Sequence, residues 1–203
     1  DCQRSVKLWN AKTLEELRTI TGHEKAISCL ALNADGSTLA SGSLDRTVRL
    51  WAVESGTERL TFTGHAEGPS RAVVGGDTRD AVKILAFSPD GKTLVSGTVD
   101  LLKIWCVDTG EEIRTFTLPK KQSSRPGPSW LTSATFSPDG ATLAAAGWDG
   151  TLVLWDLAGG RQRHTWSFSG TITLLGFSPD GKLLATENAN GTCYLIRVPS
   201  QRP

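Results

Sequence analysis

Residues 26–51 read AISCLALNADGSTLASGSLDRTVRLW, and the construction of this stretch decides the fold. An apolar run over Ile27–Leu32 meets Asp35-Gly36, and a second run over 38–42 follows. A turn at Asp45 leads to a third run over 47–51, and Ser55-Gly56 opens a fourth strand at Glu58–Phe62. Asp-Gly between apolar runs is a hairpin signal, because glycine supplies the positive backbone angle that tight turns demand. The runs are apolar on both sides instead of alternating cleanly, so both faces of the predicted sheet need covering.

The same spelling returns along the chain. It appears as VKILAFSPDGKTLVSGTVDLLKIW over 82–105, LTSATFSPDGATLAAAGWDGTLVLW over 131–155 and ITLLGFSPDGKLLATENANGTCYLI over 172–196. A partial copy, QRSVKLW over 3–9, opens the chain. The copies end at Trp9, Trp51, Trp105, Trp155 and Ile196, in steps of 42, 54, 50 and 41 residues. The second full copy carries 13 extra residues after Gly64-His65 and lacks one between Asp100 and Trp105; the third carries 8 extra around Pro119 to Pro128. A unit of about 42 residues with insertions confined to one connection marks a stacked repeat. Each unit predicts four short strands, giving 17 in all: two at the start, twelve in three full units and three at the end.

Composition excludes more than it suggests. The 203 residues hold 22 basic and 21 acidic side chains, a formal net charge of +1. That is no basis for a general clamp on nucleic acid or on an anionic membrane, so neither is expected as a partner. No apolar run of about 18 residues predicts a membrane span, and no signal segment opens the chain; a cytoplasmic location is the expectation. Four scattered cysteines read as small apolar residues and predict neither a disulfide framework nor a zinc site.

These segments resemble the WD40 repeat family across nearly the whole chain. The resemblance implies an all-β propeller of four-stranded antiparallel blades, with about four to five blades present and the ring incomplete. It places a partial blade at 4–20, blades at 26–63, 81–117 and 130–168, and an incomplete blade at 171–198. It also implies a hydrogen-bonded set of His, Ser/Thr, Asp and Trp in each blade. Carried over by position, the sets are His23, Ser41, Asp45 and Trp51; then His65, Ser96, Asp100 and Trp105; then only Asp149 and Trp155, with Ala145 at the hydroxyl position. The last copy keeps Thr186, with Asn190 for Asp and Ile196 for Trp. The FSPDGK spelling resembles bacterial members of the family, and the expectation is the carboxyl-terminal part of a longer protein whose isolated fragment can self-associate.

Catalysis finds little support. His23 and His65 occupy the family's structural position, and His164 reads as a surface residue. No nucleophile elbow, phosphate loop or His-Glu-x-x-His motif appears. Asp35, Asp90, Asp139 and Asp180 are each followed by glycine in a hairpin turn, which accounts for them without a cation. Asn190-Gly191-Thr192 is formally a glycosylation sequon but stands where a turn is required. No catalytic residue, metal or cofactor is therefore expected.

Two features exceed what the repeat needs. The enlarged connections over 66–81 and 118–129 lead into first strands on the face where such propellers bind partners, and the second contains Lys120, Lys121 and Arg125 among prolines. Loops on a rigid scaffold often carry function, although solvated insertions look the same in sequence. Trp130 and Trp148 also lie outside the repeat's demand. Either they anchor a partner or they fill gaps in a degenerate blade. The reading is a scaffold that recruits protein or peptide partners through Trp130, Trp148, Lys120, Lys121 and Arg125. The alternatives are a sensory, ligand-binding propeller or the regulatory region of a signalling protein such as a bacterial kinase.

Overall fold

Every Asp-Gly turn joins two antiparallel strands, and the described residues form 17 strands in five consecutive sheets. The computed structural model describes residues 4–66, 81–119 and 130–199. The first sheet pairs β1 (Ser5–Trp9) with β2 (Glu16–Thr21). The second holds β3 (Ile27–Leu32), β4 (Thr38–Ser43), β5 (Val48–Ala52) and β6 (Glu58–Phe62) in sequence order. The third runs β7 (Ile84–Phe87), β8 (Thr93–Gly97), β9 (Leu101–Cys106) and β10 (Glu112–Thr117). The fourth runs β11 (Leu131–Phe136), β12 (Thr142–Gly147), β13 (Thr151–Asp156) and β14 (Arg161–Ser167). Three strands, β15 (Ile172–Phe177), β16 (Leu183–Asn188) and β17 (Cys193–Arg197), form the fifth. Among the described residues no helix is long and apolar enough to cross a membrane.

The turns are held by their own side chains. The Ser88, Ser137 and Ser178 hydroxyls donate to Asp90, Asp139 and Asp180, whose Oδ1 atoms also accept the amides of Lys92, Ala141 and Lys182. Asp35 accepts the Ser37 amide at 2.7 Å. Serine hydroxyls first, and turn amides second, hold all four carboxyls below the usual range. Local chemistry thus uses up these aspartates.

First strands stand side by side, β3 against β7, β7 against β11 and β11 against β15. The sheets therefore face each other like blades, and the core lies between them. Ala40, Val48 and Leu50 of the second sheet meet Val82, Leu94 and Trp105 of the third. Ile84, Val95 and Leu102 of the third meet Leu143, Ala145 and Val153 of the fourth. In β12 the alternation divides cleanly: Leu143 and Ala145 face the third sheet, while Ala144 and Ala146 face Ile172 and Leu184 of the fifth. A strand buried on both faces explains the apolar spelling. Each fully buried leucine contributes about 1.5–3 kcal/mol.

Candidate functional site on the loop face

In the second sheet the four expected positions of the repeat come together. His23 Nδ1 lies 2.8 Å from Asp45 Oδ2, His23 Nε2 lies 2.7 Å from Ser41 Oγ, and the Trp51 indole donates to the same hydroxyl at 2.8 Å. Asp45 also accepts the Thr47 hydroxyl at 2.6 Å and the Thr47 amide at 2.9 Å. Burial raises the Asp45 carboxyl, but the Thr47 bonds and His23 together outweigh it and bring it down to about 2. Glycine precedes the histidine for a steric reason. A Cβ on Gly22 would lie 2.7 Å from Trp51 Cη2, and one on Gly64 would lie 2.8 Å from Trp105 Cη2.

The third sheet repeats half of this. His65 Nε2 lies 2.6 Å from Ser96 Oγ, and Trp105 donates to that hydroxyl at 2.6 Å. Asp100, expected to complete the set, does not reach: His65 Nδ1 is buried without a hydrogen-bond partner. The missing residue is the reason. In the second, fourth and fifth sheets a residue of positive φ (Arg46, Gly150 or Gly191) follows the turn acid or amide. That geometry lets Asp45, Asp149 and Asn190 each accept the amide two residues on, from Thr47, Thr151 and Thr192. The third sheet instead closes a two-residue hairpin from Thr98 N to Leu101 O at 3.0 Å, so no such turn aims Asp100 at the imidazole. Burial, and then the Lys103 ammonium, push the His65 imidazole down to about 4, with Glu112 opposing.

The fourth sheet corrects the expected polar set more fully. Asp149 caps its own turn through Thr151, and Trp155 sits in an apolar cluster against Phe116, ring centroids 5.3 Å apart. Leu118, expected as the start of a surface loop, is buried at the position held by Gly22 and Gly64 in the other connections. A leucine there, with Ala145 in place of the serine and Val153 in place of Arg49 or Lys103, turns a polar site into a packed one. In the fifth sheet Phe168 stacks on Tyr194 at 5.1 Å, and Thr186 is buried.

The loop face is the side carrying these second-to-third-strand turns. Its rim is set by a recurring backbone bond from the end of the second strand to the residue before the first: Leu44 to Ala26, Trp148 to Trp130 and Ala189 to Thr171, at 2.7–2.9 Å. Trp130 and Trp148 are therefore cross-strand neighbours, and they are 37% and 60% exposed. Lys83, directly before Ile84, reaches this rim from the third sheet. Its ammonium stands 5.0 Å from the Trp130 ring centroid. Sequence reading passed over Lys83, since a lone lysine at a strand start carries no signal until the neighbouring sheet is known. Lys120, Lys121 and Arg125 lie outside the described residues. His164 is exposed and packs on Trp166 at 4.1 Å. Among the described residues no three His, Cys, Asp or Glu side chains converge as a metal site would require.

Comparison with known proteins agrees with this architecture. The family described as "WD domain, G-beta repeat" matches residues 14–52, 56–106 and 119–156. The chain is 29% identical over 156 residues to "Small ribosomal subunit protein RACK1y" of Oryza sativa subsp. japonica, covering 77% of this chain and 42% of that protein. It is 27% identical over 167 residues to "WD repeat-containing protein VIP3" of Arabidopsis thaliana, covering 79% and 48%. It is 31% identical over 158 residues to "Protein tipD" of Dictyostelium discoideum, covering 78% and 24%. The chain thus spans less than half the length of these curated relatives, all three of them eukaryotic.

Proposed function

The chain belongs to the WD40 repeat family, and from that premise we propose that it is a non-catalytic scaffold that holds protein or peptide partners on its loop face. Trp130 and Trp148 are the anchors in this reading, and the connection bearing Lys120, Lys121 and Arg125 adjoins them in sequence. One observation carries it. Among the described residues of the third and fourth sheets and their turns, the large apolar side chains left exposed are Ile113 and these two tryptophans. The two tryptophans are joined by a backbone bond on one rim.

Filling a gap in a degenerate blade is the competing explanation for the indoles, and their exposure speaks against it. The gap in the fourth sheet is filled by Leu118, Ala145 and Val153, all buried. Exposed tryptophans bury large area at small entropy cost when a partner arrives, which makes them effective anchors. The relatives' names include a ribosomal subunit protein, which suits a chain whose work is assembly.

The test is recovery of partners from extracts of the cells that make the protein. Trp130→Ala with Trp148→Ala is expected to lower specific recovery at least about tenfold, since truncating an interface hot spot costs about 2 kcal/mol or more. Unchanged recovery, with an unchanged thermal transition, removes both residues from the binding face.

A further inference from the structure

Lys83 changes what the two tryptophans can hold. An exposed indole face ordinarily attracts cations, because the ring carries negative potential above its plane. At Trp130 that role is filled from within the chain: the Lys83 ammonium lies over the ring, 5.0 Å from its centroid. Lys83 is exposed and makes no ion pair among the described residues. Its ammonium has three donors, and the contact with the ring leaves them open to a further acceptor. A lysine or arginine arriving from a partner meets a like charge and an occupied π-face. A carboxylate meets a cation already oriented by the ring.

Among the described residues, two acids of this face are already engaged. Asp45 is committed to His23, Thr47 and the Glu24 amide. Asp149 caps the turn beside Trp148. Trp148, more exposed than Trp130 and adjacent to it across the strand pair, offers apolar surface beside the charge.

We infer that the Lys83–Trp130–Trp148 cluster receives an acidic peptide segment, with a carboxylate on Lys83 and a neighbouring apolar or aromatic side chain on Trp148. This rests on the loop-face reading above and adds the chemistry of the partner. An exposed lysine–carboxylate pair contributes little by itself, so the indoles supply most of the affinity and Lys83 supplies the selectivity. A single-stranded nucleic acid would also bring stacking groups and negative charge. The near-neutral chain, with Glu24, Asp45 and Asp149 on the same face, lacks the basic excess such binding needs.

The probes are three capped peptides of one length, GSEFEGS, GSQFQGS and GSKFKGS, together with an oligouridine. Binding is followed by the indole N–H signals of Trp130 and Trp148 in nuclear magnetic resonance, assigned with single Trp→Phe variants. The acidic peptide is expected to bind at least about tenfold tighter than the basic one, Lys83→Gln to reduce that preference about threefold, and Lys83→Glu to reverse it. Lys83 is exposed, so these variants keep the fold, and the unshifted signals of Trp51 and Trp105 verify it. The inference is overturned if the peptides bind without regard to charge, if none shifts the two indoles at about 1 mM, or if the oligouridine binds tighter than the acidic peptide. A charge-blind panel alongside partner recovery that still depends on Trp130 and Trp148 defeats this inference and leaves the scaffold reading standing. Recovery that ignores the tryptophans defeats the scaffold reading itself.

Discussion

The second and third sheets share a spelling, a strand order and a buried His–Ser–Trp contact, yet only the second satisfies both nitrogens of its histidine. His23 has a partner on each ring nitrogen, Ser41 on one side and Asp45 on the other. His65 has Ser96 on one nitrogen and nothing on the other. A single residue separates the two outcomes. Arg46 gives the second sheet a turn that aims its aspartate inward, and the third sheet has no counterpart between Asp100 and Leu101. In a stacked repeat, polar satisfaction is therefore decided by turn length at a distance from the buried group, and a letter repeated from copy to copy is no guarantee of its contact.

The comparison is broken most forcefully by acid. The His65 imidazole sits near 4, below its ordinary value of 6.5, so the unfolded chain binds a proton that the folded chain refuses. Its contribution is complete above about pH 6.5 and is lost as the pH falls toward 4, by roughly 3 kcal/mol at most at about 1.4 kcal/mol per unit. Urea unfolding at pH 7, 5.5 and 4 reads this loss directly, and His65→Gln should flatten the slope between pH 6.5 and 4. An equal slope in that variant assigns the acid sensitivity elsewhere.

Next comes the matched pair of aspartates. Asp45→Ala strips His23 and Thr47 of a buried partner and should cost about 2 kcal/mol, whereas Asp100→Ala should stay within about 0.5 kcal/mol. Chemical denaturation of the two variants side by side checks it; equal losses would mean that Asp100 supports the third sheet by another route. The smallest effect sharpens the comparison by repairing it. Inserting glycine between Asp100 and Leu101 restores the turn of the other sheets and should stabilise the protein by about 1 kcal/mol as Asp100 reaches His65 Nδ1. The same insertion should raise the imidazole's titration midpoint, visible in proton resonances of the ring.

Much of the fold was legible from spacing. The 17 strands, their grouping as two, four, four, four and three, and the Asp-Gly hairpins all follow from local signals: runs of apolar residues, glycines that need positive φ and serine–aspartate turns. The hydrogen-bonded set of the second sheet was also readable by position. Leu118 was not. In sequence it begins a proline-rich connection, and only the neighbouring apolar side chains Ala145, Val153 and Trp155 show that it belongs to a core that has exchanged polar groups for packing. Lys83 was illegible for a similar reason: Trp130, its partner, stands on the next sheet, 47 residues away in the chain.

By itself the sequence determined the unit: a four-stranded sheet of about 42 residues, apolar on both faces and too small to shelter itself, repeated so that each copy covers the next. Periodicity of that kind is written in nearest neighbours, and a reader of neighbours recovers it. Tertiary structure alone decided which buried groups met and which side chains converged on the rim. Those outcomes depend on how adjacent sheets register against each other and on a turn one residue longer or shorter. Side chains brought together across sheets have no fixed separation in the chain, so no local pattern encodes them.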